Sequence, residues 1–265
     1  MFPAANEVAE DEYGLAAVRS GKLDEAILHF QHAVSLNLND GTAKIWLGEL
    51  LARKVAPGIE TPENLKTAQQ AIFLYREVIS NPSISPTNWA PLPSGWEQRS
   101  VSVMAMRQIA RINFNIKKLD ESKAWQKKVL AEEPKDAEAA FAVGVIDEME
   151  AQQIAQAALA QAGLKNDDQG NAKAPASVMD AIKAQNGALV EEALQYLNQA
   201  VENRPDYDKA MIFLGQAYRR KADLDWGNEV ARKDDVAKAD EWIRKAMETQ
   251  KANEEKKARA ESVRP

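Results

Sequence analysis

Cysteine is absent from this 265-residue chain, which excludes disulfides, thiolate metal sites and a cysteine nucleophile. Glycine (12) and proline (11) are scarce, and β-branched residues give way to Ala, Glu, Gln, Lys and Leu. That is the composition of helices rather than sheets, so an all-α class is expected. No apolar run reaches eighteen residues, so no direct membrane insertion is expected. The opening MFPAANEVAEDE lacks the basic, apolar, small-residue order of a signal peptide. A formal net charge of -6 leaves no basic excess for counterion-release binding, and nucleic acid is not an expected partner. With 45% hydrophobic and 28% charged residues, the chain is too apolar to stay unfolded.

What is present is repetition. Gly14 is followed by Ala26, Phe30 and Ala33, and the next residue of its kind, Gly48, stands thirty-four positions after it. Ala110 and Gly144 are again thirty-four apart, with Leu119, Ser122, Val129 and Pro134 between them. Ala193, Leu197, Ala200 and Pro205 mark another second helix, and Leu214, Gly215 and Tyr218 open a pair that closes with Ala239, Ile243 and Ala246. Small residues let two antiparallel helices approach, a larger one fills the space beside them, and proline forbids continuation. A helix pair cannot bury its apolar stripe alone, so neighbouring pairs must stack into one core.

This period and spacing resemble the tetratricopeptide repeat. The expectation is an all-α superhelical solenoid over residues 1–248, in five helix pairs at 7–40, 41–82, 101–134, 136–205 and 207–248, with a charged tail at 249–265. Three insertions interrupt it. Residues 54–64 lengthen a turn, with Thr61 and Pro62 reading as N-cap and first helical position. Residues 83–100 hold three prolines and two tryptophans, a loop. In the fourth repeat the first helix should pass Gly144 and end near Ala162, followed by a loop, a short helix and a break at Asn186-Gly187.

The segments APGIETPENLKTA (56–68), VGVIDEME (143–150), NGALVEEALQYLNQAVENRPDYDKAM (186–211) and YRRKADLDWGNEVARKDDVAKADEWIRKAM (218–247) are similar to a group of acidobacterial tetratricopeptide proteins. Many of that group look exported, so the resemblance implies a binding or scaffolding protein outside the cytoplasm and no catalytic residues.

No phosphate loop, nucleophile elbow or metalloprotease motif occurs, so no enzyme, cofactor or metal is expected. The two histidines, His29 and His32, share a helix face but would need a carboxylate such as Glu25 to complete a zinc site. Recognition remains. In the resembled family the first helices line a concave groove, which places Arg107, Arg111 and Asn115, with Phe114 alongside, and Lys209, Gln216, Arg219 and Arg220 towards a ligand. Guanidinium groups suit an acidic peptide or carboxylate, although the same charges equally form ion pairs with neighbouring helices. The chaperone-type carboxylate clamp is disfavoured, because Asp11 and Leu15 stand where its Lys and Asn would be. Trp46, Trp125 and Trp242 are expected to pack between repeats. Trp89, Trp96 and Trp226 lie in insertions, where they either cap the core or hold a small molecule or envelope polymer. A protein-interaction scaffold and a small-ligand binder are therefore the two readings.

Overall fold

The computed structural model describes residues 5–81, 84, 86, 91–96, 99–167 and 169–262. Among them the chain forms ten α-helices and no strand: α1 (Ala5–Arg19), α2 (Leu23–Leu36), α3 (Gly41–Lys54), α4 (Pro62–Ser80), α5 (Val101–Asn115), α6 (Leu119–Glu132), α7 (Ala137–Gln161), α8 (Ala176–Asn203), α9 (Asp208–Leu224) and α10 (Glu229–Ser262). They pack in consecutive pairs, and the chain divides into two compact halves, Met1–Glu132 and Glu133–Pro265.

Local chemistry sets the helix starts. Asp40 accepts a hydrogen bond from Ala43 N at 2.9 Å, Ser100 caps Val103 N at 3.2 Å, and Asp136 accepts from both Glu138 N and Ala139 N. Thr61 caps α4 with Pro62 in its first turn, as the sequence implies. In four of the five pairs a glycine of the first helix meets a large residue of the second. A Cβ added at Gly14 would lie 2.8 Å from the Phe30 ring, at Gly48 2.9 Å from Tyr75, and at Gly144 2.6 Å from Leu197 Cγ. The repeat register is thus a contact register: glycine is required where a side chain of the partner helix occupies the space of a Cβ.

In the N-terminal half the core runs through Phe30, stacked on Trp46 at 5.9 Å, and Tyr75, stacked on Trp96 at 5.8 Å. Trp125 packs against its edge. In the C-terminal half Leu197 and Leu214 anchor one cluster with Trp242 beside it, while Leu159, Met179 and Ile182 form a second that extends the fourth repeat. This second cluster explains a difference from the sequence reading. Helix α8 does not break at Asn186-Gly187 but runs unbroken from Ala176, because α7 is long enough to pair with it throughout. Asn186 is buried in that contact and donates to the Ala151 carbonyl at 2.8 Å. The charged segment after Thr249 likewise continues α10 to Ser262.

Candidate functional site

In the N-terminal half, α3 and α5 lie side by side. Ala110 is turned to α6, whose Ser122 hydroxyl donates to its carbonyl at 2.9 Å. Arg111 extends to α3, where its Nη2 lies 3.7 Å from Glu49 Oε2, and its Nε donates to Gln108 Oε1 at 2.8 Å. Arg53, one turn beyond Glu49, donates to the other Glu49 oxygen at 3.2 Å. Glu49 is mostly buried whereas both arginines are half exposed, so one carboxylate anchors two guanidinium groups that keep a face to solvent. Arg107, half-buried, stands one turn before Arg111. Arg53 and Arg111 therefore set two cations against one acid.

The phenol of Tyr75 lies beneath this patch. Burial, followed by the nearby Glu49 carboxylate, pushes it well above the ordinary tyrosine range. Phe114 is 41% exposed at the end of α5, and the Asn115 carbonyl accepts from Gly58 N at 2.7 Å. That bond ties the α3–α4 insertion to α5. The insertion is itself held by Asn64, which accepts from Ala56 N and donates to the Ala56 and Ile59 carbonyls. The sequence reading picked Arg107, Arg111, Phe114 and Asn115 but passed over Glu49 and Arg53. Their i, i+4 spacing on α3 was the available signal.

The C-terminal half treats its cations differently. Lys209 is exposed and Gln216 half-buried. Arg219 pairs with Asp240 of α10 at 2.9 Å. Arg220 corrects the sequence expectation: it is only 3% exposed and its Nη1 bonds the buried Asp223 at 2.8 Å, so it holds α9 together rather than facing a ligand. Asp223 also accepts from Asn171 of the α7–α8 loop at 2.7 Å, which docks that insertion on α9. Facing Arg220 from α7 is Glu148, 2% exposed, whose carboxyl burial pushes up to about 7 in spite of the arginine. An aromatic cluster that sequence reasoning missed stands nearby on the same helices. Phe141 lies 4.9 Å from Tyr207 and 5.6 Å from Phe213, and Arg204 covers Tyr207 while pairing with Glu138.

The insertion tryptophans separate. Trp89 lies outside the described residues. Trp96 is 1% exposed and belongs to the core, the first of the two readings open to it. Trp226 is half-buried against the Leu159, Met179 and Ile182 cluster, beside a hollow of about 190 Å³. His29 and His32 do converge, but on Glu10 of α1, at 2.7 and 3.0 Å; Glu25 pairs with Lys22 instead. The bond from His29 holds the Glu10 carboxyl below its ordinary range.

Solved structures with the same arrangement of helices include residues 41 to the end of MamA from Desulfovibrio magneticus RS-1, at 17% identity and a TM-score of 0.56, covering 95% of this chain and 98% of that one. YrrB, described as a TPR protein with an unusual peptide-binding site, aligns at 12% identity and a TM-score of 0.50 over 96% of this chain and all of its own. The chain has the tetratricopeptide-repeat fold. The likeness is one of tetratricopeptide architecture, at identities too low to carry over any residue's role. No family model matches the sequence. No curated protein matches it either. No helix among the described residues of this tetratricopeptide chain is long and apolar enough to cross a membrane.

Proposed function

We propose that the chain is a non-enzymatic scaffold that holds a peptide or protein partner, and that the partner is acidic where it meets α3 and α5. The observation that carries this reading is the pair of half-exposed guanidinium groups, Arg53 and Arg111, positioned by one largely buried carboxylate, Glu49. A carboxylate buried between them fixes their direction, and their outward N–H groups remain available to a ligand carboxylate. The description of YrrB as having a peptide-binding site agrees with such a role for this fold. Nucleic acid is not the partner this reading favours, because two arginines on a chain of net charge -6 make too small a basic footprint.

The test is neutralisation. Arg53→Gln with Arg111→Gln should weaken a glutamate-rich capped peptide by roughly tenfold or more and flatten its salt dependence, since separated exposed charges are screened within about 10 Å at 0.1 M salt. Fluorescence anisotropy at low and moderate salt reads both. Unchanged affinity in the double variant would remove the patch from consideration. The alternative, a small-ligand site at the insertion tryptophans, rests among the described residues on Trp226. Its hollow of about 190 Å³ is below the ~300 Å³ of ordinary ligand pockets.

The scaffold is also proposed to work outside the cytoplasm. Support comes from the resemblance to an often exported group and from the absence of cysteine. Fractionation of the native organism decides it, and recovery of the protein solely in the cytosol would overturn it.

A further inference from the structure

The second helices of the first two repeats leave a gap on the N-terminal half. Helices α2 and α4 flank α3, and between them opens a hollow of about 350 Å³ floored by Leu47 and Leu51 of α3 and Leu74 of α4. Its rim is unlike the arginine patch. Gln31 of α2 and Gln69 and Gln70 of α4 are exposed around it, and Phe73 stands at its edge with 60% of its surface in solvent. Lys66 supplies the one charge in the lining, and among the described residues it has no ion-pair partner. One turn before Gln31 on α2, Leu28 is also exposed.

We propose that this hollow between α2 and α4 is a second binding site, and that it takes an extended, acidic peptide segment anchored by one aliphatic side chain. Each part of the lining selects a part of that occupant. Three leucines at the floor offer an apolar seat of the size of one or two side chains. Carboxamides at the rim each combine donor and acceptor, matching the N–H and C=O of an extended main chain that has no partners of its own. Phe73 covers the anchor from the side, and burying its exposed ring is part of the gain. Lys66 adds charge complementarity. It lies seven residues before Phe73 on α4, about 10 Å along the helix axis, which an extended peptide spans in about three residues. The favoured segment therefore carries a leucine-like residue and, about three positions away, an aspartate or glutamate. A second copy of the chain fits less well. A stable protein interface buries at least ~1,000 Å² in total, whereas the apolar surface here is confined to this narrow hollow with Phe73 and Leu28 at its margins.

The probe is a short capped, fluorescein-labelled peptide with leucine and, three positions on, aspartate in a serine background. Saturable binding is expected, weakened roughly tenfold or more by Phe73→Glu and by Lys66→Glu separately. Lys66→Glu should in turn gain affinity for the same peptide with lysine in place of aspartate, a reversal that a misfolded variant cannot produce. Both positions are exposed, so the melting temperature should stay at that of the parent. Arg53→Gln with Arg111→Gln should leave this binding intact, which separates the site from the patch on α3 and α5. Three results would each overturn the assignment: no saturation by the peptide, binding indifferent to Phe73→Glu and Lys66→Glu, or sedimentation showing a dimer that Phe73→Glu dissociates.

Discussion

Replacing Glu148 by Gln should stabilise the C-terminal half at alkaline pH and leave it unchanged at acid pH. Glu148 is buried on α7, its Oε1 has no hydrogen-bond partner, and the cation facing it, Arg220, is already bonded to Asp223. Burial therefore outweighs the arginine, and the folded carboxyl sits at about 7 against an ordinary 4.5. The folded state binds the proton more tightly than the unfolded one, so stability falls as pH rises from about 4.5 to about 7, and is level below and above that window. At about 1.4 kcal/mol per pH unit, the loss is about 3 kcal/mol. Glutamine keeps the shape of the neutral acid and has no proton to lose.

The comparison is parent against Glu148→Gln, in urea, at about pH 5 and about pH 8. Two compact halves make a single unfolding free energy unsafe, so amide hydrogen exchange in peptides from α7 and α9 is the better readout. Protection in these helices should drop with pH in the parent and hold in the variant. If the two proteins differ by a constant amount across the range, or the variant is weaker at about pH 8, the carboxyl is not the source of the pH dependence and the reasoning fails.

Gly144→Ala places a methyl 2.6 Å from Leu197 Cγ and 3.0 Å from the Ala193 carbonyl. Because backbone cannot yield cheaply, a loss of about 1–3 kcal/mol is expected in spite of alanine's better helix propensity, read by urea denaturation. Asp40→Ala removes the cap on α3 and should cost about 1 kcal/mol, with faster amide exchange confined to the first turn of that helix. Glu10→Gln removes the charge that His29 and His32 share. Since the folded Glu10 carboxyl lies below its ordinary value, the parent should lose N-terminal stability as pH falls from about 4.5, and the variant should not show that loss.

The repeat was legible because it is a packing constraint written at fixed intervals. Gly14, Gly48 and Gly144 recur where a partner side chain leaves no room, and such positions announce themselves without any structure. The helix starts were legible for the same local reason at Thr61, where cap and proline are adjacent. The uninterrupted α8 was not. Asn186-Gly187 reads as a break by local preference, and only the length of α7 opposite, with the Ala151 carbonyl ready to receive Asn186, overrides it. Partners at long range were equally hidden. His29 and His32 could be placed together on α2, but that Glu10 rather than Glu25 would lie between them depends on how α1 crosses α2.

The same distinction governs the charges, and it explains why two arginine stripes that look alike in sequence have different fates. Arg219 and Arg220 each have an acid on α9 or α10 within reach, so α9 spends its cations on holding the last repeat and the α7–α8 insertion together. Arg111 of α5 shares one acid, Glu49, with Arg53 of α3, and the burial of Glu49 prevents it from following them into solvent. An exposed cation whose acid is shared and fixed keeps part of its charge for a ligand, whereas one with a mobile acid of its own does not. The proposed recognition by charge therefore rests on the N-terminal half, where the arginine patch lies on the α3–α5 side and the glutamine-rimmed hollow opens between α2 and α4. Because the two surfaces draw on different helices and different chemistry, substitutions at Arg111 and at Phe73 should act independently on binding, with effects that add.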